Sequence, residues 1–184
     1  MSRSRSGLTL VELLAVLAIL AALAAVLYPA VAVQIRKGQS TAVADQLNNL
    51  RDAIINYQGN VARYPTVLTQ LTVQPIAGET DLCGTALPAA NRNAWRGPYL
   101  AQNIVGNMPV GDATVQNDIT RNPLTNGAGP TGILQIVVAG VDPTSATDLE
   151  QQFDGNNNFL TGSILWVAVG SSGTLTFQIP IRNC

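Results

Sequence analysis

The N-terminal part of the chain contains an unbroken apolar run followed by an amphipathic stripe. Residues 13–33 carry no charged side chain. As a helix this run would be about 31 Å long at roughly 1.5 Å per residue, which matches the hydrocarbon core of a bilayer. Further on, apolar residues recur at helical spacing, namely Val43, Leu47, Leu50, Ile54 and Tyr57. We therefore predict one long helix over residues 8–58, with bends near Pro29 and Gly38.

The rest of the chain predicts a small sheet behind an irregular connector. Residues 60–132 are rich in Pro, Gly, Asn and Thr and show no sustained period, which predicts loops. Three apolar or alternating runs then predict antiparallel strands over residues 133–139, 163–169 and 174–181. Pro180 suggests that the last strand is an edge or is ending. The predicted fold class is α+β, with the long N-terminal helix packed on a small antiparallel sheet.

Composition excludes several classes of function. The chain is 47% hydrophobic and only 11% charged, with a formal net charge of −1. This balance gives no sign of a nucleic-acid partner, which a basic surface would indicate. The chain contains no histidine, so histidine-based nucleophile activation and histidine metal ligands are absent. No convergent acid, base and nucleophile can be identified, and we therefore do not expect an enzyme.

The N-terminal flank predicts how the apolar run sits in a membrane. Arg3 and Arg5 precede the run without any acid, so this end is expected to stay in the cytoplasm while the bulk of the chain is exported. A plain signal anchor fits the length of the run. A cleaved secretory signal is also open, because residues 30–32 read Ala-Val-Ala. Neither alternative explains Glu12, which lies inside the apolar stretch that begins at Leu8.

Glu12 needs a partner if it lies at membrane depth. A charge there costs on the order of 2.5 to 3.5 kcal/mol, which makes an intramembrane acid a functional hypothesis. If the chain were cut between Gly7 and Leu8, the new α-amino group would be cationic and would lie four residues from Glu12. That amine could neutralise the carboxylate within the chain or in a neighbouring copy.

The sequence Gly7-Leu-Thr-Leu-Val-Glu12, behind a basic leader and ahead of an apolar helix, resembles the prepilin cleavage and methylation motif. This motif is typical of type IV pilins and type II secretion pseudopilins. The resemblance implies cleavage after Gly7 by a prepilin peptidase and methyltransferase, N-methylation of Leu8, and a role for Glu12 in registering the incoming subunit. It also implies that Pro29 kinks the helix. The expected divisions are a leader over residues 1–7, a transmembrane and filament-core helix over 8–33, and a helix half plus exported head over 34–184.

The resemblance implies a structural subunit of a type IV pilus or a type II secretion pseudopilus. The precursor would span the inner membrane once, and the mature subunit would join a homo-oligomeric helical filament in the periplasm or outside the cell, built by inner-membrane assembly machinery. The stretch WRGPYL at residues 95–100 resembles major pseudopilins, although an ordinary packing role is equally open. The alternative function is a signal-anchored or secreted binding or adhesion module.

Cys83 and Cys184 are the two cysteines of the chain. Export would place both in a compartment that permits disulfides, and we predict that they pair. Type IV pilins often carry a C-terminal disulfide, although Cys83 lies further upstream than the resemblance implies. Free thiols remain the alternative.

Residues 154–158 read Asp-Gly-Asn-Asn-Asn, which places oxygen-bearing side chains at Asp154, Asn156 and Asn158. This spacing begins like a calcium loop, but the glycine and glutamate that complete that pattern are missing. Major pseudopilins commonly hold a structural calcium in this region, and Asp142, Asp148 and Glu150 are nearby further donors. A solvated Asn/Gly turn is the alternative, and no other cofactor is expected.

Overall fold

The computed structural model describes residues 10–123 and 132–182. The chain forms two compact units, Met1–Gly38 and Gln39–Cys184. Helix α1, Leu10–Val61, confirms the predicted long helix and ends slightly later than expected. It ends because Ala62 adopts a left-handed conformation with φ of 55° and donates its N–H to the Gln58 carbonyl at 2.8 Å, a common helix stop.

Two short helical elements and two strands follow α1 along the chain. They are a 3₁₀ turn at Leu68–Leu71, helix α2 at Ala89–Asn93, strand β1 at Met108–Val110 and strand β2 at Ala113–Pro123. The prediction of a loop-rich connector is therefore wrong for β1 and β2. The pairing of β2 with β3 shifts register between Val115 and Ile119. The buried residues of β2, Ala113, Val115 and Ile119, keep the two-residue period, but the polar Asn117 takes the place of an apolar residue between them and hides the strand in the sequence.

The second half of the head contains β3 at Gly132–Val141, helix α3 at Pro143–Phe153, β4 at Ile164–Val169 and β5 at Ser172–Ile181. The three predicted strands are confirmed within a five-stranded antiparallel sheet of order β1-β2-β3-β5-β4. Of the two alternatives for the last strand, the edge is wrong, because β5 lies between β3 and β4. The other is confirmed, because β5 ends at Ile181, one residue after Pro180. Pro180 nevertheless has a strand neighbour on one side only, since β4 begins opposite Phe177.

Helix α3 was missed although its start carries a clear signal. Asp142 is the N-cap, and its carboxylate accepts hydrogen bonds from the N–H groups of Thr144 at 3.0 Å and Ser145 at 3.1 Å. Pro143 occupies the first turn, where its missing N–H costs nothing. Partial burial opposes ionisation of Asp142, but the hydrogen bonds from Ser145 and Thr144 outweigh it and lower the pKa of this carboxyl.

A single hydrophobic core joins α1 to the sheet. Each residue of the predicted stripe is buried, with Leu47, Leu50, Ile54 and Tyr57 at 0% exposure and Val43 at 5%. The same core contains the inner faces of β3 and β5 and the buried side of α3; these residues are Leu134, Ile136, Val138, Leu175, Phe177, Ile179, Ala146 and Leu149. The predicted α+β arrangement of a long helix packed on an antiparallel sheet is therefore confirmed.

Candidate functional site

The first candidate site is the N-terminal part of α1, whose apolar side chains are exposed among the described residues. By length and composition α1 can cross a membrane, and its apolar window has a mean hydropathy of 2.8 with 0% of it buried. Large apolar side chains project on all sides of this segment, with exposed fractions as high as 76% for Leu10 and 78% for Tyr28. A helix that is apolar all round is stable only when lipid or other helices surround it.

The predicted assembly residues are placed as follows. Glu12 lies in the first turn of α1. A carboxylate at that end is favourable because the helix dipole is positive there. Pro29 lies inside α1, which continues through it. Gly7 and Leu8 lie outside the described residues, so cleavage and methylation stay predictions.

The second candidate site is the loop that carries Cys83. Asp81 is 1% exposed and organises this loop, because its Oδ1 accepts hydrogen bonds from the N–H groups of Cys83 at 3.0 Å and Thr85 at 2.8 Å. Its Oδ2 lies 3.3 Å from a guanidinium nitrogen of Arg63. Sequence reasoning missed Asp81, although an acid two residues before a cysteine is a common turn signal. Cys184 lies outside the described residues, and its pairing with Cys83 stays a prediction.

The third candidate site is the Asp154 loop, where the three predicted calcium ligands do lie together. Asp154 caps the end of α3, and its carboxylate accepts the N–H groups of Ser163 at 2.8 Å and Ile164 at 2.9 Å. Asn156 Oδ1 accepts the N–H of Asn158 at 2.7 Å. These oxygens are turned toward the loop's own backbone, as in ordinary Asx turns.

The described residues contain no cluster of three or more acidic, cysteine or histidine side chains suited to a metal. The side-chain oxygens of Asp154, Asn156 and Asn158 accept backbone N–H groups, whereas a calcium ion takes six to eight oxygen ligands, so this arrangement lends the metal no support. Calcium binding stays a prediction.

Glu150 is the unusual acid beside this loop. It is 0% exposed, and neither carboxyl oxygen has a hydrogen-bond partner in the described part of the chain. Burial first and the negative charge of Asp154 second raise the pKa of Glu150. The sequence could suggest Glu150 only as a neighbour of the loop, because its burial results from the packing of α3 on the sheet.

We expect Glu150→Gln to change how stability depends on pH. An acid whose pKa is raised by folding binds its proton more tightly in the native state, so the stability of the native state falls as pH rises from the unfolded pKa, about 4.3, to the folded pKa. The amide cannot ionise and avoids this loss. Thermal melting of the full chain in lipid nanodiscs, followed by tryptophan fluorescence, should show a Tm advantage for Glu150→Gln that grows with pH.

Asp148→Asn is the matched control because Asp148 is an exposed acid on the same helix. It should keep the pH profile of the parent chain, whereas identical profiles for Glu150→Gln and the parent would contradict the role assigned to burial.

The same thermal melts with added Ca²⁺ test the predicted calcium site. A rise in Tm that Asp154→Ala abolishes would establish the site, and no rise would contradict it.

The WRGPYL stretch has a packing role in this structure. The indole N–H of Trp95 donates to the Gln70 carbonyl at 3.0 Å. The ring of Tyr99 meets those of Tyr57 and Trp95 edge to face, with centroids 5.8 and 5.7 Å apart. A Cβ at Gly97 would collide with the indole, so only glycine fits there. These contacts pack the stretch against the end of α1.

Residues 2–28 match the family model described as the prokaryotic N-terminal methylation motif. This motif is the signature of type IV pilins and pseudopilins, a class of structural proteins, so the resemblance drawn from Gly7 to Glu12 is confirmed. With the apolar helix it fits a membrane-anchored precursor. The chain matches no curated protein and no solved structure.

Proposed function

We propose that this chain is a structural subunit of a type IV pilin-like filament, either a type IV pilus or a type II secretion pseudopilus. The apolar segment over residues 8–33 forms the filament core, and the α+β head formed by Gln39–Cys184, which includes the second half of α1, forms the outer surface. The subunit has no catalytic role of its own.

The observation that carries this proposal is the combination of the methylation motif with an apolar helix segment, none of which is buried among residues 10–123 and 132–182. Lipid covers the helix in the precursor, and neighbouring copies of the same helix cover it in the filament. Moving an apolar helix from lipid to protein gains little hydrophobic free energy. Assembly is therefore driven by close packing of the Ala-rich helices and by neutralisation of Glu12.

Processing creates a cationic group close to Glu12 in the sequence. A prepilin peptidase cuts after Gly7 on the cytoplasmic side, and Leu8 becomes the methylated N-terminal residue. Its amino group is cationic near neutral pH and pairs with Glu12 of the same or a neighbouring subunit. The inner-membrane assembly machinery then extracts the subunit into the filament, and the head lies in the periplasm or outside the cell.

N-terminal sequencing of the mature protein tests this proposal. We expect N-methyl-leucine at Leu8. A mature chain that begins at Val33 would support secretion after cleavage at residues 30–32 and would overturn the filament subunit. A chain that keeps Met1 or Ser2 would support a plain signal anchor and would overturn it as well.

A further inference from the structure

A groove with polar walls runs along the outer side of α1 in the head. Side chains of Gln46, Asn49, Asp52 and Asn56 form one wall, and residues 99–102 form the other. The groove has a volume of about 310 Å³, within the range of small-molecule sites. From Gln46 to Asn56 it extends about 15 Å at roughly 1.5 Å per residue. We call it the amide groove.

The polar groups of the amide groove have capacity to bind a ligand. Asn49, Asp52 and Asn56 make no side-chain hydrogen bond within the described ranges 10–123 and 132–182. Gln46 donates only to the Met108 sulfur, at 3.3 Å. Carboxamides both donate and accept, so this wall presents a dense row of free donors and acceptors.

Folding does not require asparagine at these positions. Asn49 and Asn56 lie in the interior of α1 and are exposed. Asparagine is among the poorer helix formers, up to about 0.7 kcal/mol less favourable than alanine per residue. Ala53, at 1% exposure, keeps the floor of the groove flat between the polar side chains. The polar side chains of this helix face are therefore available to a ligand without loss of packing.

The lining selects the chemical class of that ligand. Residues that line the groove include one acid, Asp52, and no basic side chain, which disfavours anions. An apolar ligand would leave the amides without partners, at a cost of about 1 to 3 kcal/mol for each buried group. A neutral ligand dense in hydroxyl groups satisfies both donors and acceptors, and Tyr99 and Leu100 offer apolar surface for its C–H groups. We propose that the amide groove binds a neutral saccharide of two to three rings.

Binding can be tested with the processed full chain in lipid nanodiscs that lack glycolipid and sugar detergent. The probes are cellobiose, lactose and chitobiose, followed by saturation-transfer NMR. We expect at least one to bind with a Kd of about 1 mM or tighter. Asn49→Ala combined with Asn56→Ala should weaken that binding tenfold or more. Because alanine is the better helix former, loss of binding in this variant cannot be attributed to unfolding of α1.

Asn48→Ala is the matched control, since Asn48 is exposed on the same helix and does not line the groove. It should bind as the parent chain does. The proposal fails if none of the three disaccharides binds, or if the double variant binds as tightly as the parent. It also fails if the double variant loses filament assembly while no sugar binds, because a second copy of the chain would then occupy the groove.

Discussion

Glu12→Ala should insert into the membrane normally and yet produce at least roughly tenfold fewer filaments. Insertion is preserved because alanine removes a charge that costs on the order of 2.5 to 3.5 kcal/mol at membrane depth. Assembly is lost because the proposed amine of Leu8 then has no carboxylate to neutralise it among the packed helices. A tenfold loss corresponds to only about 1.4 kcal/mol, less than the roughly 3 to 5 kcal/mol that leaving one charge of a buried pair uncompensated costs. Sheared filaments measured by immunoblot and electron microscopy give the yield.

Three controls separate charge neutralisation from other effects of this change. Glu12→Gln keeps the size of the side chain and should fail as alanine does, whereas Glu12→Asp keeps the charge and should assemble in part. Val11→Ala trims a neighbouring apolar side chain and should leave assembly intact. N-terminal sequencing of each variant shows that processing after Gly7 still occurs. Normal filament yield from Glu12→Ala or Glu12→Gln would refute the pairing.

The sequence predicted the elements whose pattern of apolar residues is complete within one continuous segment. Helix α1 repeats its apolar positions over many turns, so its buried stripe could be read from the spacing of Val43, Leu47 and Leu50. Strands β3 and β5 are dense in β-branched and aromatic residues, which is why both were found. Strand β2 was missed because polar residues dominate it: Asn117 stands between the buried Val115 and Ile119, so the alternation of apolar residues is interrupted in the sequence.

The candidate sites also divide into those with a local sequence signal and those that depend on contacts between distant segments. The motif from Gly7 to Glu12 is contiguous, so no knowledge of the fold was needed to find it. Glu150 and the amide groove depend on contacts between distant segments: α3 on the sheet in one case, α1 beside residues 99–102 in the other. The amides of Asn49 and Asn56 look in sequence like a solvated helix face. Only the second wall of the groove distinguishes a binding surface from that face.

Removing the predicted disulfide should lower the free energy of unfolding of the head by up to about 4.7 kcal/mol. A bridge from Cys83 to Cys184 would close about 100 residues, and the chain-entropy model gives this value for a loop of that size. The described part of the chain holds no free cysteine, which supports pairing. Cys83→Ser with Cys184→Ser should shift the denaturant midpoint downward, followed by the fluorescence of Trp95 and Trp166 in the full chain.

Reduction of the parent chain is the matched control, because it breaks the bridge without changing a residue and should reproduce the midpoint of the double variant. Two alkylatable thiols in the non-reduced protein, or an unchanged midpoint, would contradict the bridge. Folding and unfolding rates show whether the bridge acts on the unfolded chain or on the native state. A bridge that restricts the unfolded chain speeds folding, so its loss should slow refolding and leave the unfolding rate nearly constant. Faster unfolding of the variant would instead show that the bridge stabilises native contacts. The first segment to open would then be the Asp81 loop, because Asp81 fixes the backbone at Cys83.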